Sequence, residues 1–60
     1  MQGRNRSLDD ARDKRELAAF VRRIAGTISL DVDRNALLAQ AAAIEAEADE
    51  IEKKHRDAAQ

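Results

Sequence analysis

Branched apolar residues recur along the chain at spacings of three and four. In the first half Leu17, Val21, Ile24 and Ile28 follow a 4-3-4 pattern, and Phe20 widens the stripe. In the second half Leu37, Ala41, Ile44, Ala48, Ile51, His55 and Ala58 follow 4-3-4-3-4-3, a heptad seam held over three repeats. Both patterns are those of one helix face and neither is the alternation of a strand. The chain contains no proline to break either run. The pattern predicts an all-α fold: an antiparallel helical hairpin with helices over about residues 8–28 and 32–58, joined at Ser29–Leu30–Asp31.

The limits follow from local chemistry. Residues 1–6, Met-Gln-Gly-Arg-Asn-Arg, lack apolar periodicity and read as a flexible arm, leaving 7–60 as the single helical unit. Ser7 offers a hydroxyl to an otherwise unpaired amide of the first turn, and Asp9 and Asp10 lie where the positive end of the helix dipole favours anions. Gly26 is either the stop of the first helix or a residue within it. Because the stripe runs on through Ile28, the second reading is preferred, with Gly26 retained for close approach of another backbone. Asp31 is the expected cap of the second helix, with Ser29 as the alternative.

A turn this short places the helices antiparallel. Matching seam positions outward from it sets Ile28 against Leu37, Ile24 against Ala41, Val21 against Ile44, and Leu17 against Ala48. Large side chains opposite alanine let two helix axes approach closely. More apolar positions remain than one seam needs: Phe20, Ala25, Leu38 and Ala42 form a second, flatter strip. A strip of that kind fits a second hairpin, so a two-fold homodimer forming a four-helix bundle is expected, with another helical protein as the other possible partner.

Composition narrows the classes. Sixty residues lie near the lower limit for a chain folding alone, and with no cysteine a disulfide does not help. The start of the chain lacks the hydrophobic centre of a secretory signal, and no apolar run is long enough to span a bilayer, so a cytoplasmic protein without membrane partners is expected. Residues 1–28 carry seven Lys/Arg against four Asp/Glu, and residues 29–60 carry four against eight. The halves are thus suited to pair with each other, or the first is suited to an anionic partner. On the second helix, Asp49, Glu50 and Glu52 precede Lys53, Lys54 and Arg56 by four residues each, which marks a solvated, self-supporting face.

Residues 22–52 resemble a group of short proteobacterial helical-hairpin proteins of uncharacterised role, through an arginine-rich first helix, an aspartate-containing turn and the positions Arg34, Leu37, Leu38, Ala41 and Glu45. In length, layout and the turn Leu30–Asp33, with Ala48–Ile51 as a second local likeness, the chain also looks like the plasmid copy-number regulator Rop. That resemblance implies a homodimeric four-helix bundle that binds paired RNA loops through its first helices. Where Rop contacts RNA, this chain has Arg15 in place of the aromatic and Ala11 and Ala19 in place of the neighbouring amides, so the likeness implies the architecture more than the RNA activity.

Candidate chemistry is sparse. Contacts to nucleic acid would fall to Arg12, Arg15, Arg22 and Arg23, with Arg4 and Arg6 from the arm neutralising further phosphates. Phe20 is the one aromatic, and it lies on the apolar stripe, whereas single-strand readers present several stacking platforms. Glu52 and His55 have the spacing of paired metal ligands on one helix face, with Asp10 and Asp13 able to approach, but each chain holds a single such motif at a helix end. No metal or cofactor is therefore expected. Ser7, Thr27 and Ser29 have no histidine base close in sequence, and no phosphate-cradling glycine loop is present, so an enzyme is not expected. The expectation is a non-enzymatic protein-interaction or regulatory module, with an RNA-binding regulator as the alternative.

Overall fold

The computed structural model describes residues 6–58, with side chains from Leu8 onward. Two helices, α1 (Arg6–Ala25) and α2 (Asp31–Ala58), pack against each other as an antiparallel hairpin with Cα extents of 45 × 21 × 9 Å. The flexible arm assigned to residues 1–6 lies outside the described residues except for Arg6, which already belongs to α1. The cap assigned to the Ser7 hydroxyl, and the contacts assigned to Arg4 and Arg6, likewise fall outside the described side chains.

The first helix ends three residues earlier than its stripe predicts. Gly26 N–H still donates to the Arg22 carbonyl at 3.1 Å, but Thr27 N–H donates to Ile24 at 2.9 Å and Ile28 N–H to Ala25 at 3.1 Å. Bonding over four residues has given way to bonding over three, the tightened turn that commonly closes a helix. The Thr27 hydroxyl also donates to the Ile24 carbonyl, at 2.7 Å, so two donors occupy a carbonyl at the end of the helix. Gly26 keeps an ordinary negative φ, and a Cβ built there would meet only the Arg23 and Arg22 carbonyls, at 3.4 and 3.8 Å. No second backbone crowds it, which removes the reason proposed above for a glycine at this position.

The start of α2 also shifts by one residue. Leu30 supplies the carbonyl that accepts the first helical bond, from Arg34 N–H at 2.9 Å, and Asp31 is already within the helix. Rather than capping, the Asp31 carboxylate accepts from the Arg34 guanidinium, which also donates to the Ile28 carbonyl at 3.4 Å. One arginine thus ties a carbonyl of the turn to the first acid of the next helix.

The larger correction concerns which face of α1 is inside. Among the described residues, the fully buried side chains are five alanines: Ala11, Ala18 and Ala25 on α1, and Ala41 and Ala48 on α2, each no more than 1% exposed. On α2 this is the expected seam, with Leu37, Ile44, Ile51 and His55 half-buried beside it. On α1 the seam is not the aliphatic stripe. Leu17 is 50% exposed and Ile24 is 38% exposed, so neither lies opposite an alanine as the sequence pairing required. Each immediately precedes a buried alanine, so α1 is turned by about 100°, one residue's worth of helix rotation. Alanine now meets alanine along the line of contact. Their methyl groups contribute only about 0.8 kcal/mol apiece, against about 1.5–3 for a fully buried leucine, isoleucine or phenylalanine.

The open surroundings of Gly26 lead to a direct test. Gly26→Ala should raise stability by about 0.4–1 kcal/mol, because alanine fits the existing backbone and has fewer unfolded conformations to lose. Thermal melting followed by far-ultraviolet circular dichroism would register the gain; a loss would mean that the turn needs glycine.

Candidate interaction surfaces

The alanine seam divides the hairpin into two broad faces, and the residues flanking it give each a different chemistry. Four residues after a seam alanine come Arg15 and Arg22 on α1, and Glu45 and Glu52 on α2. In an antiparallel pair these positions fall on the same side of the contact line, and they meet. Arg15 binds Glu52 with two bonds, Nε to Oε2 at 3.0 Å and Nη2 to Oε1 at 2.6 Å, and reaches Asp49 Oδ1 at 2.6 Å. One heptad nearer the turn, Arg22 binds Glu45 in the same forked manner at 3.0 and 2.7 Å. The fork of a guanidinium matches the two oxygens of a carboxylate, which fixes orientation as well as charge.

These contacts move the acids and bases in opposite directions. The hydrogen bond from Arg22, together with its charge, holds Glu45 below the usual carboxylate range against a smaller opposing effect of partial desolvation. Arg15 does the same to Glu52, while the bonds to Glu52 and Asp49 raise the pKa of Arg15 itself. A third cross-helix pair, Lys14 Nζ to Glu47 Oε1 at 2.8 Å, raises Lys14 mainly through the hydrogen bond and then through the charge. All of these groups are solvent-exposed, so each pair is individually weak and screened by salt; their combined effect is to select one register.

The other face is mainly apolar, crossed by the Lys14–Glu47 pair. The exposed Leu17, Phe20 and Ile24 lie there on α1, and Val21, Leu37, Ile44 and Ile51 are half-buried along its midline. Toward the turn this face opens into a hollow lined by Ile28, Asp33, Ala36, Leu37 and Gln40. The guanidinium of Arg23 lies 5.7 Å from the centre of the Phe20 ring, a cation–π distance.

The four residues expected to form one outer strip are dispersed. Phe20 is on the apolar face. Ala25 is a correction: at 1% exposure it belongs to the seam within the hairpin and has no surface left to offer. Leu38 precedes Glu45 by one heptad and Ala42 precedes Asp49 by one heptad, so both belong to the ionic face, away from Phe20. In the continuous exposed stripe that does form, Phe20 is joined by Leu17 and Ile24, which their spacing had assigned to the interior.

The four arginines expected to meet nucleic acid all have partners within the chain. Arg15 and Arg22 form the forks just described, Arg12 lies 3.7 Å from Asp9 and 4.0 Å from Asp13, and Arg23 stacks on Phe20. The carboxylate of Glu52, a candidate ligand beside His55, is likewise held by Arg15. Among the described residues, no group of three or more histidine, aspartate or glutamate side chains is placed to hold a metal ion. No helix among them is long and apolar enough to cross a membrane. No protein-family model, curated protein or solved structure matches the chain.

The two forks make stability depend on pH with a definite sign. Glu45 and Glu52 are held below the range they have in the unfolded chain, so their stabilisation is complete above the ordinary glutamate value and lost as pH falls through the lowered one. The melting temperature should therefore drop on acidification below about pH 4.3. In Glu45→Gln/Glu52→Gln that drop should be visibly shallower; an unchanged acid limb would mean that the forks do not form in solution.

Proposed function

We propose that this chain is a small non-enzymatic protein-interaction or regulatory module that works as a homodimeric helical bundle. The observation that carries the reading is the inversion of its core: five alanines are buried, while Leu17, Phe20 and Ile24 stand half-exposed on one face. A hairpin this thin has one layer of contact, and chains of this size usually need a further device to fold stably. Of its two sequence likenesses, that to Rop implies a homodimer, and that to short proteobacterial proteins implies a helical hairpin alone. Absence of cysteine fits a reducing cytoplasmic setting.

The alternative, an RNA-binding regulator acting through the first helix, has less support. Arg15 and Arg22 would have to exchange forked carboxylate partners for phosphates, and Arg12 would have to leave Asp9 and Asp13. An enzymatic reading has less still, since the Thr27 hydroxyl is committed to the Ile24 carbonyl.

Light scattering coupled to size-exclusion chromatography over a dilution series tests the proposal. A mass of twice the chain at high concentration is expected, with helicity falling as dilution separates the copies. A folded monomer at every concentration would contradict it.

A further inference from the structure

We infer that the surface joining two copies is the apolar face carrying Leu17, Phe20 and Ile24, and not the face carrying Leu38 and Ala42. The inference rests on the homodimer reading above and goes further by specifying which surface the second copy covers. The opposite face is closed by its own chemistry: forks from Arg15 and Arg22 fasten across it, and Asp49 joins them. Covering it would remove water from several charges for little apolar gain. On the chosen face, three large side chains are more than one-third exposed in a row spanning two helical turns, and four more are half-buried along the midline.

The broad side of the hairpin is large enough to take a second copy. With Cα extents of 45 × 21 Å, it has an outline of about 900 Å². A stable two-protein contact typically covers about 800 Å² on each partner. The pattern is also complementary to itself. The forks Arg15–Glu52 and Arg22–Glu45 fix the register between the helices, and that register sets Phe20 level with Glu47. Leu17 and Ile24 lie on either side of Phe20, and Ile44 and Ile51 lie on either side of Glu47. A half-turn through that level therefore exchanges leucine with isoleucine on α1 and isoleucine with isoleucine on α2, so aliphatic meets aliphatic on both helices at once. That is the requirement of an isologous contact. Glu47, which the half-turn brings toward its own copy, is already neutralised by Lys14 at 2.8 Å.

Sedimentation equilibrium on the full chain and three variants, with helicity measured in parallel, tests the choice of face. Leu17→Glu and Ile24→Glu should each weaken the dimer at least about 100-fold, because every copy would bring an unpaired carboxylate into the contact. Ala42→Glu, on the ionic face, should leave it within about threefold, the scale of an exposed substitution. Because loss of the dimer could also unfold the hairpin, a second measurement uses the absence of native cysteine. The thiol of Ile24→Cys should react with a maleimide at least about tenfold more slowly at concentrations where the protein is dimeric than after dilution, while that of Ala42→Cys should react equally in both. If the unsubstituted chain is monomeric throughout, the homodimer reading fails and this inference with it. If the unsubstituted chain is dimeric but Leu17→Glu and Ile24→Glu remain dimeric, or the Ile24→Cys thiol gains no protection, the face is wrong while the homodimer reading stands.

Discussion

Contact between alanines on two antiparallel helices is the constraint from which the remaining features follow. Ala11, Ala18 and Ala25 on one side and Ala41 and Ala48 on the other are all essentially inaccessible, and no larger side chain among the described residues is. A methyl group is the largest substituent that leaves two helix backbones at the near end of the usual 8–10 Å separation. At that distance the positions four residues after each alanine come within reach of one another, which is why Arg15 and Arg22 find Glu52 and Glu45. Close approach, register and ion pairing are therefore one arrangement and not three independent ones.

The same constraint explains why the molecule has two unlike faces. Small side chains between the helices leave no space there for large ones, so Leu17, Val21, Ile24, Leu37, Ile44 and Ile51 are displaced to one side of the contact line. The forks occupy the other side. A single hairpin consequently retains its strongest hydrophobic driving force in unspent form, on a surface where only another molecule can use it. The proposed interaction role rests on such a shape, which has two layers of backbone but one layer of core.

Much of this was legible in the residues. The seam of α2 is read correctly from Leu37 to His55, because there the alanines and the large aliphatics alternate within one heptad pattern; only its last position, Ala58, is exposed. On α1 two stripes compete: Leu17–Val21–Ile24–Ile28 and Ala11–Ala18–Ala25. Ranking by hydrophobicity favours the first; the second is the one inside, because what decides burial between close helices is size. The signal was present as matched seven-residue spacings, Ala18 and Ala25 with Ala41 and Ala48, and Arg15 and Arg22 with Glu45 and Glu52. Reading those four pairs together gives both the rotation of α1 and its register. The end of α1 was harder to see, since Ile28 continues the apolar period beyond the point where the hydrogen bonding tightens and Thr27 occupies the Ile24 carbonyl. Mispairing of the strip residues Ala25, Leu38 and Ala42 follows from the same error of rotation.

The most direct measurement of the central claim compares leucine placed on and off the contact line of one helix. Ala48→Leu inserts three extra carbons between the helices, whereas Ala46→Leu adds them at an exposed position of α2. Thermal melting should show Ala48→Leu destabilised by about 1–3 kcal/mol, the usual result of overpacking, and Ala46→Leu nearly unchanged. Equal melting temperatures for the two variants would contradict an account in which methyl-to-methyl contact holds the hairpin together.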